Sequence, residues 1–177
     1  MTKDKYIQHL KGLAVYQVLG GLGGIFLSIR LVTQLWSIEP VYWVLVLLPF
    51  MFYVFSIYTG IMLWNRGKNS LRLTIINQGL QLVTLAGPVI SYTFISGGAL
   101  LVHLDTTDGI SPSFGVMLSS YSLIIGGDQA ARSVGVNIVA LGIILFMRRE
   151  MRLIEKEKIL DEVDSIGSVQ SDPADPE

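Results

Sequence analysis

Three apolar runs, Leu13–Trp36, Val41–Trp64 and Leu73–Ile95, are each long enough to cross a lipid bilayer as a helix. A hydrocarbon core of about 30 Å needs roughly 20 helical residues. A fourth run, Val134–Met147, is shorter and extends outward through Ala130 and Ala131. Half of the 177 residues are apolar and 15% are charged, a balance too hydrophobic for an ordinary soluble domain. The sequence therefore predicts a mainly α, integral membrane four-transmembrane-helix bundle. Its spans fall at about 12–36, 41–64, 71–95 and 129–147.

Charge asymmetry orients the predicted bundle. Lys3, Lys5 and Lys11 precede the first span, and Arg66, Lys68 and Arg72 sit between the second and third. Arg148, Arg149, Arg152, Lys156 and Lys158 follow the fourth. Of the 13 basic residues only Arg30 and Arg132 lie elsewhere. The positive-inside rule then puts both termini of a multi-pass protein in the cytoplasm. Trp36, Tyr42 and Trp43 mark the outer interface and Trp64 the inner one, as aromatic belts do. A cleavable signal peptide fits poorly, because the first run is too long and carries Arg30. The absence of cysteine excludes disulfides, thiol catalysis and cysteine-based metal sites.

The connections have different characters. "SIEP" after Trp36 is a tight outer turn, with Pro40 suited to the first turn of the second helix. "NRGKNS" is the inner loop, where Gly67 breaks one helix and Ser70 is placed to cap the next. Pro49 and Pro88 are expected to kink spans two and three. Residues 96–127 hold Gly97–Gly98, the turn "DTTDG" and Pro112, with period-two alternation over Phe114–Ser119. They read as a small extracytoplasmic β-element of two or three antiparallel strands between helices 3 and 4. Asp128 is expected to cap the last helix, whose charged extension, 148–164, closes a membrane domain of residues 1–164. The acidic tail 165–177 reads as disordered.

"TIINQGLQLV", Thr74–Val83, places amides inside the third apolar run. Ser70, Thr74, Asn77, Gln81, Thr84, Pro88 and Ser91 follow one another at spacings of four and three, with Gln78 alongside. On a helix they form one polar stripe, which lipid rejects and protein or water must cover. One reading is interhelical hydrogen bonding, at about 0.6 kcal/mol per bond and up to roughly 2. The other is one wall of a polar pathway. Amides and hydroxyls are the usual packing residues of membrane bundles, which favours the first.

Gly20 and Gly24 form a GxxxG pair in span one, extended by Gly12, Tyr16 and Ser28, and are expected to let a second helix approach closely. Arg30, an intramembrane charge, lies about 9 Å of helix rise below Trp36 and reads as snorkelling or pairing with Glu39. Asp105, Asp108 and His103 supply too few ligands for calcium and fit a hairpin turn better. Ser119, Ser120 and Ser122 lack the companions of a nucleophile, so neither catalytic residues nor a metal or cofactor site is expected.

The expected function is non-enzymatic: an accessory or scaffold subunit of a membrane complex. Its expected partners are the lipid bilayer and further copies of itself or other membrane-protein subunits, with no nucleic acid. An oligomeric transport or conductance component lined by span three is the alternative. A signalling link from the outer β-element to the cytoplasmic helix is a further one.

Overall fold

The first two apolar runs fold as the long helices their composition dictates. The computed structural model describes residues 3–34, 43–107, 109–126 and 132–169. Helix α1 spans Lys3–Gln34 and α2 spans Trp43–Trp64, with Pro49 inside it. Within them, Ile7–Arg30 and Leu47–Trp64 are long and apolar enough to cross a membrane. Only 33% of each of these windows is buried, so most of their apolar surface faces outward, unlike that of a soluble protein's core helix. Leu19, Leu22 and Phe26 on α1 and Leu47, Met51 and Val54 on α2 are among the exposed side chains.

The other two runs do not span as helices, and the four-transmembrane-helix bundle is not what the chain forms. Helix α3 covers only Ser70–Leu82, about 20 Å at 1.5 Å per residue. At Val83 the backbone turns extended (φ −115°, ψ 135°) and the chain continues as strand β1, Val83–Ala86. Val83 and Thr84 are β-branched, and Gly87–Pro88 supplies a turn, so the local sequence favours a strand and hairpin over a helix. Pro88 therefore lies in a turn rather than a kinked helix.

Three more strands follow: β2, Ile90–Asp105, β3, Ser111–Ile125, and β4, Ser133–Asn137. Helix α4 then runs over Ile138–Val169. Its N-cap is Asn137, whose Oδ1 accepts from the N–H groups of Val139 (3.1 Å) and Ala140 (3.3 Å). The predicted fourth span is thus partly strand. Its apolar helical portion, Ile138–Met147, is only about 15 Å long before the arginines begin. Among the described residues the fold is mixed α/β, with four helices and a four-stranded antiparallel sheet.

The sheet order is β1-β4-β2-β3, with an added β1–β2 contact at Leu85 and Tyr92. β2 bends at a bulge between Ile95 and Gly98, where Gly97 has φ +102°. That conformation suits glycine alone. Before the bend β2 meets β1; beyond it, Leu101–Asp105 meets β4. β1, β4 and β2 thereby close on one another, and β3, paired with β2 on one side, keeps an open edge among the described residues.

Leu10, Ala14, Leu63 and Met147 form a buried cluster that brings together the start of α1, the end of α2 and the first third of α4. The basic segments next to these residues consequently gather at one end of the molecule. Lys11 lies 5.1 Å from the Trp64 ring centroid there. Several predicted features fall outside the described residues: Trp36, the turn to Pro40 with Glu39, Tyr42, Asp108, Asp128, and the tail from residue 170.

Candidate polar site at the helix–sheet junction

The stripe on α3 faces inward. Ser70, Thr74, Asn77, Gln78 and Gln81 are its buried residues, and Thr84 on β1 and Ser91 on β2 are buried as well. Only the first part of the four-three pattern reflects a helix face, since Thr84 and Ser91 belong to the sheet.

Gln17 of α1 reaches the stripe from the opposite side, fully buried. Its Nε2 donates to Thr74 Oγ1 (3.4 Å), and its Oε1 accepts from Thr59 Oγ1 (2.7 Å) and Asn77 Nδ2 (3.5 Å). Ser56 of α2 is the hub. Its hydroxyl donates to the Gln17 carbonyl (3.4 Å) and accepts from Asn77 Nδ2 (3.1 Å) and Ser96 Oγ (2.8 Å). One donor and two lone pairs are all a serine hydroxyl has, so Ser56 is saturated. Gln81 joins α3 to the sheet: its Oε1 accepts the Ser96 N–H at 2.8 Å, and its Nε2 donates to the Asn77 carbonyl at 3.3 Å. The Tyr92 hydroxyl donates to the Leu80 carbonyl (2.7 Å), satisfying one of the acceptors left at the end of α3.

The pattern is not saturated everywhere. Asn77 Oδ1, both ends of the Gln78 amide and Thr84 Oγ1 are buried without a hydrogen-bond partner among the described residues. Ser91 is engaged with the turn: its hydroxyl donates to the Gly87 carbonyl at 3.3 Å and accepts the Gly87 N–H at 3.2 Å.

The α1 glycines lie elsewhere than on the α3 stripe. A side chain at Gly20 would meet the β2 backbone at Ser96 and Gly97, and one at Gly24 would occupy the Tyr53 ring of α2. Ser119 Oγ of β3 donates to the Gly20 carbonyl (3.0 Å) and accepts the Gly97 N–H (3.0 Å), and the Tyr16 hydroxyl donates to the Gly98 carbonyl (2.6 Å). Phe94 of β2 packs on Phe52 and Tyr53, with ring centroids 5.0 and 5.3 Å apart. The bend of β2 is therefore level with the middle of both long apolar helices. Arg30 is exposed near the end of α1.

Gln17, Ser56, Thr59 and Ser96 belong to this constellation but do not stand out in the sequence. Gln17 alone carries a usable sign, being the only amide between Leu13 and Ile29 and as unwelcome in lipid as those of α3. Serine and threonine in an apolar helix bond to the preceding turn so often that Ser56 and Thr59 give none.

Among the described residues, the side chains bonded to one another at the junction are amides and hydroxyls, with no acid or base among them. Among the described residues no group of three His, Asp or Glu side chains comes close enough to hold a metal ion. Asp105 ends β2, and its Oδ1 accepts the Thr107 N–H at 2.8 Å, which holds its carboxyl below the ordinary value of 3.8. His103 stands opposite Ser113 and Gly135 in the sheet register, and its ring and the Thr84 hydroxyl both border Gly135. No family model, curated protein or solved structure matches this chain.

Proposed function

We propose that the protein is a small, non-enzymatic membrane subunit that the α1–α2 hairpin holds in the bilayer and that associates with further copies of itself along β3. The reading as a non-enzyme rests on the junction's chemistry, since amides and hydroxyls exchange no proton near neutral pH. Both termini lie on the cytoplasmic side in this proposal, supported by the gathering of the basic segments at one end.

One observation carries the association: among the described residues β3 has an open edge at the depth of the two apolar helices. Unpaired backbone N–H and C=O groups are not tolerated in the hydrocarbon region, so a strand there needs a neighbour. On the face beside that edge, Phe114, Val116 and Leu118 are 76–78% exposed. The strand carries no charged residue, so two copies can pair antiparallel about a two-fold axis without opposing like charges. Soluble proteins guard such edges with lysines or short strands, and β3 has neither.

The test is the mass of the protein purified in a mild detergent. A dimer or larger homo-oligomer is expected, and Val116→Lys should yield a folded monomer, because two lysines would meet near the axis. A monomeric wild type with no co-purifying protein would sink the proposal. Orientation is tested separately by introduced cysteines in this cysteine-free chain. An impermeant thiol reagent outside sealed cells should label Thr107→Cys and spare Asn69→Cys; the reverse pattern would invert the topology.

A conductance role has one observation in its favour, the Gln78 amide with both ends buried and unpartnered. It predicts that Gln78→Leu abolishes a solute flux in reconstituted vesicles while leaving the oligomer intact.

A further inference from the structure

The end of the molecule where the basic segments gather contains a cleft of about 660 Å³. Arg66, Lys68 and Arg72 line one side of it, and Glu155 of α4 is the acidic residue in its wall. Arg66, Lys68 and Arg72 make no ion pair among the described residues, and three cations against the one acid give the cleft a net positive charge. The first turn of α3 opens into it. Asn69, at the N-cap position, makes no side-chain hydrogen bond, which leaves the N–H groups of Leu71 and Arg72 without a side-chain cap. Ser70 also lines the cleft; it is 5% exposed, and its hydroxyl has no hydrogen-bond partner among the described residues. Leu10, Met151 and Ile154 give the remaining wall an apolar character.

We infer that this cleft binds a phosphate-bearing anion attached to an apolar group, with the chemistry of an anionic lipid headgroup. The guanidinium groups of Arg66 and Arg72 suit two-point contact with phosphate oxygens, and Lys68 adds a point charge. Backbone N–H groups at the start of a helix are further donors for the same oxygens, and the dipole of α3 adds a favourable field. The Ser70 hydroxyl supplies a neutral donor inside the cleft. Apolar residues beside the cations suit the first carbons of an acyl chain, as in basic pockets between helices at the cytoplasmic face of a bilayer. A zwitterionic headgroup brings its own cation into the same positive field and is disfavoured. The lipid source rests on the membrane reading above, whereas the anion site itself does not.

The full chain in an uncharged detergent should be titrated with dioctanoyl phosphatidic acid, dioctanoyl phosphatidylcholine and inorganic phosphate, with native mass spectrometry counting bound molecules. One phosphatidic acid per chain is expected, about tenfold tighter than phosphatidylcholine. The double variant Lys68→Gln/Arg72→Gln should weaken it about tenfold with an unchanged melting temperature. Glu155→Gln, which removes the acid from the wall, should tighten it about threefold. Inorganic phosphate binding as tightly as phosphatidic acid would assign the site to a free phosphate or soluble phosphoester instead of a lipid. Equal binding of phosphatidic acid and phosphatidylcholine, or binding indifferent to the double variant, would overturn the inference. Because the phosphate titration needs no bilayer, a failed topology experiment and a failed anion site remain distinguishable.

Discussion

Helices α2 and α3 begin from similar material and end differently. Both open an apolar run, and both bury hydroxyls or amides at the same junction. α2 continues unbroken from Trp43 to Trp64, whereas α3 gives way to a strand after Leu82. Its polar groups do not explain this, because Ser56 and Thr59 are equally buried in α2. The decisive difference lies beyond the amides. α2 carries apolar residues through to Trp64, while α3 runs into Val83, Thr84 and a Gly-Pro turn. The Tyr92 hydroxyl and the Gln81 side chain then secure the switch from the sheet side. Apolar length sets what could cross a membrane, and the residues after the run set whether a helix does.

The sharpest way to break α2's side of this comparison is Gly24→Leu. The Tyr53 ring stands where the new side chain must go, so the substitution should cost roughly 3 kcal/mol or more and prevent a stable α1–α2 hairpin. Thermal unfolding of the purified protein would read this, and an unchanged melting temperature would mean that α1 and α2 are not packed as described.

On α3's side, Gln81→Leu removes the acceptor of the buried Ser96 N–H and should destabilise by about 2 kcal/mol. Gln78→Leu, three residues away on the same helix, removes an amide that bonds to nothing, so it should be neutral or stabilise by about 1 kcal/mol. Chemical denaturation of the pair of variants distinguishes a bonding amide from an orphaned one. Equal losses would show that Gln78 has a partner in the assembled protein.

The smallest effect belongs to the β2–β3 turn, far from both helices. The Asp105 carboxyl titrates below its ordinary value of 3.8 because its charged form accepts the Thr107 N–H. Its contribution is present above pH 4 or so and fades as the pH falls through the lowered value. The Thr107 amide resonance should move in that window and stay still in Asp105→Asn. Movement persisting in the variant would assign the titration to another group.

The two long apolar helices were legible because apolar length outweighs their interruptions: Pro49 in α2 and the glycines of α1 lie inside runs long enough to stay helical. Period-two alternation at Phe114–Ser119 marked a region that is strand, though the sheet reaches back to Val83 and forward to Asn137. The strands at its margins were hidden for a physical reason: β1 and β4 are short and apolar, and such segments look alike in helix and strand. The four-three spacing from Ser70 to Ser91 crosses a change of backbone, and a spacing of seven from Thr84 to Ser91 says nothing once a turn intervenes. The junction itself was half visible. Amides in an apolar helix announce that something polar must meet them, but Ser56 and Ser96 acquire their meaning only when distant segments fold together.

The position of β4 between β1 and the far half of β2 bears on how the protein can be made. A ribosome completes the α1–α2 pair once residue 64 is synthesised, yet Gln17 and Ser56 then still lack Thr74, Asn77 and Ser96. β1 emerges soon afterwards and waits about fifty more residues for Ser133–Val136, its partner along its whole length. Throughout that interval the growing chain presents amides and unpaired strand edges to whatever surrounds it. On the membrane reading proposed above, insertion and folding are then not separate stages: the first helices lack their polar partners until α3 and β2 have been added, and the sheet lacks β4 until nearly its last residues.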